Sequence, residues 1–288
     1  MDWNSPAPAK VNLSLNIKGR RGDGYHDLVS FAAFTSYADQ VTISDDRPTG
    51  LTISGPFAAE LQNNLQSNLI NKTRNAIFAA GFKPQPHHIH LEKYIPLSSG
   101  LGGGSSDVAA YLRCLSDMME LSLPEKQRLF CLAADIGADV PVCLQPGYQI
   151  MKGTGTDVRP VKIKEGVLYC ALANPKKPLS TARIFSALHQ EDFSPNLIPL
   201  LEQETLRIED VLKLGNDLYE PAIRICPQIF TLINRMENSS VAKHLLGVGM
   251  SGSGASCFAL STSKNIVYQL CEELNAFGFW AVATSLVR

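Results

Sequence analysis

The sequence lacks an excess of charge of either sign. Its 288 residues contain 26 lysines and arginines and 27 aspartates and glutamates, which gives a formal net charge of -1. Proteins that follow nucleic-acid phosphates carry a clear basic excess, so the composition argues against nucleic acid as a partner. Hydrophobic residues make up 45% and charged residues 18% of the chain. These values are ordinary for a folded globular protein and exclude disordered and fibrous classes.

Long apolar runs are also missing. No stretch approaches the roughly 20 consecutive apolar residues that a membrane-spanning helix needs. The opening residues 1–6 show no basic segment followed by an apolar one, so no signal peptide is expected. The sequence therefore predicts a soluble, cytoplasmic protein with no membrane partner.

Neither a cysteine framework nor a metal-ligand set is apparent. The seven cysteines are scattered without a C-x-x-C pair, and such an odd, unpatterned set is typical of reduced core cysteines in a cytosolic protein. His87, His88 and His90 lie close together, but no carboxylate or cysteine completes a ligand set around them. A metal site at these histidines is therefore not favoured.

Hydrophobic patterning predicts a mixture of strands and helices. Residues 10–17 alternate between polar and apolar, which predicts a half-buried strand with Lys10, Asn12, Ser14 and Asn16 on a polar, ligand-accessible side. Further strands are predicted at residues 41–44, after a turn at 37–39, and at 89–94, 167–172, 257–260 and 280–286. Helices are predicted at residues 69–80, from about 106 to 119, at 122–136, 181–189, 228–238 and 265–276.

The chain is long enough for two domains of ordinary size. Residues 153–161 are rich in glycine, threonine and proline, which predicts a domain boundary. We expect an N-terminal domain over residues 1–158 and a C-terminal domain over residues 159–288.

A glycine-rich loop is the strongest chemical signal. It comprises Gly100, Leu101, Gly102, Gly103, Gly104, Ser105 and Ser106 and leads into a predicted helix. Glycines let successive backbone N–H groups point into one concavity, and the helix N-terminus adds a partial positive charge. A tight structural connection is the alternative, but the helix start and the serines favour a phosphate site. No Gly-Lys-Ser/Thr follows, so the loop is not a Walker A motif.

Other residues suggest function less strongly. A second glycine cluster at residues 247–255 is either a flexible turn or part of the same site. Asp139 lies at the end of a predicted helix, where a cap or a solvated carboxylate is the favoured interpretation from the residues alone. Ser180 and Thr181 open a helix, where a hydroxyl normally serves as the N-terminal cap. Tyr25 and His26 lie in a turn and are suited either to stacking on a base or to a hairpin tip.

Taken in order, these segments resemble the GHMP kinases. Three motifs carry the resemblance, at residues 8–13 (PAKVNL), 96–106 (PLSSGLGGGSS) and 249–255 (GMSGSGA). The resemblance implies an ATP-dependent small-molecule kinase with a two-domain α/β (α+β) fold. The N-terminal ATP domain would be ribosomal-protein-S5-like and the C-terminal domain ferredoxin-like, with ATP and substrate in the cleft between them.

Four segments resemble one subfamily, the kinases that phosphorylate the 2-hydroxyl of a cytidyl diphosphate of methylerythritol in the non-mevalonate isoprenoid pathway. They are the PAKVNL motif, residues 21–26 (RGDGYH), residues 137–142 (GADVPV) and residues 216–218 (NDL). This resemblance makes Asp139 the base that takes the hydroxyl proton and Lys10 its electrostatic partner. The substrate-binding residues it implies are Asn12, Tyr25, His26, Thr181, Phe185, Gly252, Ser253 and Gly254, with Tyr25 and Phe185 on either side of the cytosine and Thr181 also capping its helix.

The resemblance places the ATP phosphates on Gly100, Leu101, Gly102, Gly103, Gly104, Ser105 and Ser106, with Pro96 beside them. Adenine contacts are expected within residues 51–71, where Asn68 is singled out. Mg²⁺ is expected as the partner of ATP, with Ser106 as the one candidate ligand and no other metal ligand assigned. The oligomeric state is left open between monomer and homodimer.

Two other functions remain open at this point. One is another GHMP small-molecule kinase, of the homoserine or mevalonate type, which would not depend on Tyr25 or Phe185 because its substrate has no base to stack. The other is a non-catalytic nucleotide-binding protein, against which Lys10, Asp139 and the unbroken glycine loop argue.

Overall fold

The computed structural model describes residues 1–62, 65, 68–189, 193–194 and 203–287. Residues 190–192, 195–202 and 288, which belong to the predicted C-terminal domain, lie outside the described residues. The strands are β1 (Asp2–Arg20), β2 (His26–Ser44), β3 (Gly50–Ser54), β4 (His88–Glu92), β5 (Gln149–Gly153), β6 (Asp157–Pro160), β7 (Lys162–Ile163), β8 (Tyr169–Asn174), β9 (Thr205–Leu206), β10 (Gly247–Met250), β11 (Cys257–Ser261) and β12 (Trp280–Val287).

Each helix predicted from the sequence is present, although the predicted helix at residues 122–136 is divided at Leu132 into two. Its first half begins with a capping box, in which the backbone N–H of Ser122 donates to the Glu125 carboxylate. The helices are α1 (Ala59–Gln62), α2 (Leu69–Ala79), α3 (Gly103–Met118), α4 (Leu123–Cys131), α5 (Ala133–Ile136), α6 (Val140–Cys143), α7 (Thr181–Ser186), α8 (Ile208–Leu212), α9 (Tyr219–Ile225), α10 (Gln228–Glu237) and α11 (Lys264–Ala276).

The first of two compact units comprises Met1–Ala9, Tyr37–Leu97 and Gly102–Pro146. In this unit β4 pairs antiparallel with the second half of β2 and parallel with β3. Helices α2 and α6 pack against α3. Most side chains of α3 are buried, Tyr111 and Leu112 completely, so this helix forms the centre of the unit and its first turn is held firmly.

The second unit comprises Lys10–Ser36, Ser98–Leu101 and Gly147–Arg288. Its antiparallel sheet has the strand order β10-β11-β8-β12. Helices α10 and α11 pack on these strands, and buried residues such as Leu232, Met236 and Leu270 form the core between them. This strand order and the βαββαβ succession are those of a ferredoxin-like fold, as the resemblance implied. Each unit combines three separate segments of the chain, so the division does not correspond to a single boundary, and the boundary at residue 158 stays a prediction.

Strand β1 confirms the strand prediction for residues 10–17, but the predicted half-burial is wrong. Lys10, Asn12, Ser14 and Asn16 are each at most 3% exposed. Buried polar groups need partners, and the second unit supplies them for the two amide nitrogens: Asn12 Nδ2 donates to the Ser30 hydroxyl at 2.7 Å and Asn16 Nδ2 to the backbone oxygen of Leu214 at 2.9 Å. The polar side of β1 is therefore an internal hydrogen-bonding surface.

The turn predicted at residues 37–39 is also wrong, because β2 continues through these residues without interruption. Asp39 is completely buried. Its carboxylate accepts hydrogen bonds from the backbone N–H groups of Tyr94 and Ile95 and from the Lys93 ammonium. An aspartate that resembles a turn residue in the sequence is thus stabilised inside a strand by distant partners.

The cysteine prediction is confirmed with one exception. All seven cysteines are among the described residues and are free thiols, and six are buried, whereas Cys131 at the end of α4 is exposed. Burial raises the pKa values of Cys114 and Cys271 to about 12, so these thiols are unreactive at neutral pH. Within the described part of the chain, no helix is long and apolar enough to cross a membrane.

Candidate active site

Helix α3 begins at Gly103, three residues before the predicted start. Gly102 is its N-terminal cap residue, in the left-handed conformation with φ 63°, and has no side chain with which to cap. The first hydrogen bond of the helix joins the Ser106 N–H to the Gly102 oxygen at 2.9 Å. The N–H groups of Gly103, Gly104 and Ser105 therefore have no acceptor within the helix. Gly104 is exposed, so this helix end presents donors that suit an anionic phosphate.

Gly100 lies in the second unit, against the loop that follows β10. Its φ is 79°, and a side-chain carbon added to it would lie 2.4 Å from the Ser251 oxygen and 2.8 Å from the Gly254 oxygen. The Ser251 hydroxyl donates to the Gly100 oxygen at 2.9 Å, and the Ser256 N–H donates to the Ser99 oxygen at 2.9 Å. The two glycine clusters of the sequence are thus packed backbone to backbone, and residues 251–255 are not a free turn.

We expect Gly100→Ala to be strongly destabilising. A left-handed alanine costs about 1–2 kcal/mol, and the clash with two backbone oxygens adds to this cost. The control is Gly81→Ala, because Gly81 has a similar φ of 84° but no atom within 4 Å of an added carbon. Thermal unfolding should show a much larger loss of Tm for Gly100→Ala. Equal losses for the two variants would contradict the packing argument.

The orientation of Asn12 follows from a chain of hydrogen bonds. The Ser30 hydroxyl donates to the Ser14 oxygen at 2.6 Å, so it can only accept from the Asn12 Nδ2 group at 2.7 Å. Asn12 Oδ1 therefore points the other way, towards Gly252, where an added side-chain carbon would lie 3.3 Å from it. This buried oxygen has no hydrogen-bond partner among the described residues. It is a fixed acceptor suited to a hydroxyl or N–H donor of a ligand.

His26 and Phe185 form an aromatic pair. Their ring centroids lie 5.3 Å apart at an interplanar angle of 40°, and the Phe193 ring lies 6.2 Å from that of His26 at an angle of 85°. Burial, together with the positive charge of Arg20, lowers the pKa of His26, so its imidazole is neutral at pH 7. Tyr25, next to it in the chain, is 65% exposed. An exposed tyrosine beside a half-buried aromatic pair offers π surfaces to a planar ring.

Thr181 is the first residue of α7, and its hydroxyl lies 2.8 Å from that of Ser253. The predicted capping role of Thr181 is wrong, because the Ser180 side chain is the one that accepts from the Arg183 N–H. Ser180 and Arg183 also line a pocket of about 320 Å³ together with Ser98, Pro178 and Leu179. Thr181 is therefore free of the capping role, and it connects α7 to the second glycine cluster.

Lys10 and Asp139 lie in different compact units. Lys10 is 3% exposed, and its backbone N–H donates to the Leu101 oxygen of the glycine loop at 2.9 Å. Asp139 is half-buried and precedes α6, but its side chain makes no capping hydrogen bond to that helix. Of the two interpretations that the residues alone favoured for Asp139, a cap or a solvated carboxylate, the cap is therefore not supported.

The predicted ATP residues outside the loop have clear structural positions. Asn68 is the N-terminal cap of α2, and its Oδ1 accepts from the Ile70 N–H at 2.9 Å. Pro96 is buried. Residues 63–64 and 66–67, part of the stretch expected to contact adenine, lie outside the described residues.

Sequence reasoning missed a buried charge cluster behind the glycine loop. The Lys93 ammonium lies 2.5 Å from the Asp39 carboxylate and 2.6 Å from that of Asp107, and all three side chains are at most 5% exposed. A carbon added to Gly103 would lie 3.0 Å from Lys93 Nζ, so the ammonium supports the start of α3. The local sequence shows only a lysine just after a strand, which is not enough to find a cluster whose members come from three separate segments of the chain.

The pKa values in this cluster reflect competition between burial and charge. Burial lowers the pKa of Lys93, but the charges of Asp107 and Asp39 outweigh it and raise that pKa overall. Burial raises the pKa of Asp107 to about 8, against the attraction of Lys93 and with the repulsion of Asp39. Asp107 Oδ1 has no hydrogen-bond partner among the described residues. One cation thus compensates two buried carboxylates incompletely.

The described part of the chain contains no set of side chains arranged to bind Mg²⁺. The Ser106 hydroxyl is completely buried and donates to the Pro8 oxygen at 2.8 Å, so it serves to hold α3 against β1. No group of three or more histidine, cysteine, aspartate or glutamate side chains among the described residues is arranged to hold a metal ion. His87 contacts Tyr111, and His90 contacts Thr52 and Ser54 instead.

Comparison with known proteins identifies the family. Residues 68–147 match the model of the GHMP kinases N terminal domain, and residues 197–279 match that of the GHMP kinases C terminal domain. The chain belongs to the GHMP kinase family. The predicted fold class is thereby confirmed, as is the assignment as an ATP-dependent small-molecule kinase.

This GHMP kinase is similar to two relatives that carry the same name. It is 38% identical to 4-diphosphocytidyl-2-C-methyl-D-erythritol kinase of Granulibacter bethesdensis, over 98% of this chain and 94% of the relative. It is 37% identical to the protein of the same name from Azorhizobium caulinodans, over 97% of each chain. The likeness extends over nearly the whole length of each chain.

Solved structures of similar fold include members of this family. A crystal structure of 4-(cytidine 5'-diphospho)-2C-methyl-D-erythritol kinase matches with a TM-score of 0.79 and 32% identity, over 99% of both chains. Homoserine kinase from Cytophaga hutchinsonii matches with a TM-score of 0.68 and 18% identity, over 99% of this chain and 94% of that one. The second likeness concerns the fold alone.

Proposed function

We propose that this GHMP kinase transfers the γ-phosphoryl group of ATP to the 2-hydroxyl of 4-diphosphocytidyl-2-C-methyl-D-erythritol. The observation that carries the choice of acceptor is the aromatic group of exposed Tyr25 and the His26–Phe185 pair, since homoserine and mevalonate have no base to stack. The names of the full-length relatives support the same acceptor. The alternative of a homoserine-type or mevalonate-type kinase has only the shared fold in its favour.

The proposed chemistry uses the residues described above. The acceptor oxygen attacks the γ-phosphorus, the bond from that phosphorus to the β-phosphate oxygen breaks, and ADP leaves. Asp139 takes the hydroxyl proton, and Lys10 contributes positive charge as the phosphoryl group passes. Asn12 Oδ1 accepts a hydrogen bond from the acceptor, and Thr181 with Gly252, Ser253 and Gly254 completes the acceptor's surroundings.

The N–H groups of Gly103, Gly104 and Ser105, with the rest of residues 100–106, hold the ATP phosphates. Mg²⁺ is proposed to accompany ATP, with no protein ligand assigned to it. Asn68 and Pro96 are proposed to lie beside the nucleotide. The free thiols of all seven cysteines support the proposed cytoplasmic location, and the oligomeric state is either monomer or homodimer.

The test is ADP release from purified protein with ATP, Mg²⁺ and one acceptor at a time. We expect ADP with 4-diphosphocytidyl-methylerythritol and none above background with homoserine or mevalonate. Tyr25→Ala should raise the KM for the cytidyl acceptor about tenfold or more, because base–aromatic stacking contributes about 1–3 kcal/mol. ADP formed only with homoserine or mevalonate would overturn the choice of acceptor.

His26 gives a pH prediction. Because its pKa is lowered by burial and by Arg20, the neutral ring persists to pH values below the ordinary histidine pKa of about 6.5. We expect the KM for the cytidyl acceptor to stay level from pH 8 to about 6.5. At lower pH the KM should rise, because the protonated imidazole has no nitrogen left to accept a hydrogen bond from the cytosine. His26→Gln should remove this rise. A rise of equal size in His26→Gln would assign the effect to another group.

A further inference from the structure

The segment Asn216, Asp217 and Leu218 has no role in the proposed chemistry, although it was one of the motifs singled out in the sequence. Asn216 follows α8 and lies between β1 and the second glycine cluster. Its Nδ2 group donates to two backbone oxygens, those of Met250 and Gly252, each at 2.8 Å. Its Oδ1 accepts from the Leu218 N–H at 2.9 Å. The Nδ2 group and the Oδ1 atom of the Asn216 side chain therefore both have hydrogen-bond partners within the protein.

The backbone around Asn216 is itself anchored on β1. The Leu15 N–H donates to the Gly215 oxygen at 3.0 Å, and the Asp217 N–H donates to the Leu15 oxygen at 2.8 Å. The Asp217 carboxylate then accepts from the Ile17 N–H at 2.7 Å and from the Ser194 hydroxyl at 2.9 Å. These hydrogen bonds fix the backbone around Asn216 against β1, the strand that also carries Lys10 and Asn12.

The two oxygens held by Asn216 lie on either side of Ser251. The Ser251 hydroxyl accepts from the Asn12 N–H at 3.1 Å and donates to the Gly100 oxygen. Ser253, one residue past the second oxygen, contacts the Thr181 hydroxyl. One side chain thus determines the direction of a turn that touches both the acceptor residues and the glycine loop.

We infer that Asn216 is a positioning residue for phosphoryl transfer, which sets the turn at residues 250–254 so that Ser253 and the Gly252 backbone meet the acceptor. It acts through the turn and not on the reacting atoms. This inference rests on the proposed function for the identity of the acceptor. The geometry of the turn does not depend on that identity.

The variant that tests it is Asn216→Asp. Aspartate keeps the shape and the acceptor for the Leu218 N–H, but it replaces two donated hydrogen bonds with a carboxylate facing two carbonyl oxygens. Because a small misplacement of an aligned group can cost about 10²-fold in rate, we expect kcat/KM for the cytidyl acceptor to fall by about that factor. The KM for ATP should change by less than about threefold, since the α3 donors are untouched.

Asn275→Asp is the matched control. Asn275 also donates to a backbone oxygen and accepts from a backbone N–H, both of Ala281, at 3.0 and 3.1 Å. The substitution therefore removes the same kind of donor and keeps the same kind of acceptor in the same unit. It should lower Tm and leave both KM values unchanged.

A double-variant cycle separates positioning from general destabilisation. If Asn216 acts through Ser253, Asn216→Asp and Ser253→Ala remove one shared effect, so the double variant should be within about threefold of Asn216→Asp alone. Multiplied losses in the double variant would overturn the inference. So would an Asn216→Asp enzyme with unchanged kcat/KM, or one whose losses match those of Asn275→Asp.

Amide hydrogen exchange tests the inference without any phosphoryl acceptor. The Ser251 and Gly254 N–H groups are both hydrogen-bonded within the turn, and their exchange should accelerate about tenfold or more in Asn216→Asp but not in Asn275→Asp. Unchanged exchange overturns the inference whatever the acceptor proves to be. Accelerated exchange in a protein that phosphorylates none of the three acceptors supports the role of Asn216 in the turn while the proposed function fails.

Discussion

Asp139→Asn should lower kcat for the cytidyl acceptor by about 10²–10⁴-fold, the range that general base catalysis contributes. The amide has the size of the carboxylate but cannot take the hydroxyl proton. Asp139 is half-buried, and its side chain does not cap α6, so its substitution removes no helix cap. We expect the dissociation constants for ATP and acceptor to stay within about threefold, measured by calorimetric titration, because the loss concerns the transition state.

The control for this prediction is Asp135→Asn. Asp135 is an exposed aspartate in α5, four residues before Asp139. It should retain the kcat of the unaltered protein. An Asp139→Asn enzyme with normal kcat, or one that loses activity only by losing acceptor binding, would remove Asp139 from the role of base.

Lys93→Met should destabilise the protein by about 3–5 kcal/mol, the cost of removing one partner from a buried ion pair. Methionine fills a similar volume but leaves Asp39 and Asp107 buried without a cation. For a chain of this size we expect Tm to fall by roughly 6–20 °C. Adding Asp107→Asn should recover part of the loss, because the amide cannot carry the negative charge that Lys93 compensates.

Lys126→Met provides the comparison for Lys93. Lys126 pairs with Asp117 at 3.2 Å on the surface, with side chains 34% and 61% exposed. An exposed pair contributes about 0–1 kcal/mol, so Tm should change by no more than a few degrees. Similar losses for the two lysine variants would show that burial does not make the Lys93 cluster special.

Local patterns in the sequence were sufficient to predict the elements that have a clear hydrophobic period or characteristic end residues. Helix α2 follows from the helical spacing of the apolar residues after Asn68, and the start of α4 from the capping-box pattern of Ser122 and Glu125. The ATP loop could be recognised because glycine density, serine content and a following helix occur together within seven residues. The catalytic and acceptor roles came from resemblance, since an aspartate before a short helix has no distinctive local pattern.

Features that depend on distant partners could not be read from the sequence. The polar side of β1 was predicted to be ligand-accessible on a half-buried strand, because nothing local shows that Ser30, Leu214 and Ser251 lie against it. Asp39 resembled a turn residue because its partners are more than fifty residues away. The role of Asn216 depends on oxygens more than thirty residues further along the chain. In each case a polar residue keeps its place through hydrogen bonds that local pattern does not encode.

The most direct test of the account is the structure of the product. The protein should be incubated with ATP, Mg²⁺ and 4-diphosphocytidyl-2-C-methyl-D-erythritol, and the product examined by mass spectrometry and ³¹P NMR. We expect the acceptor to gain one phosphate as a monoester on the 2-hydroxyl, with the diphosphate intact and ADP in equal amount. ADP formed without a modified acceptor, or a phosphate on a different hydroxyl, would contradict it.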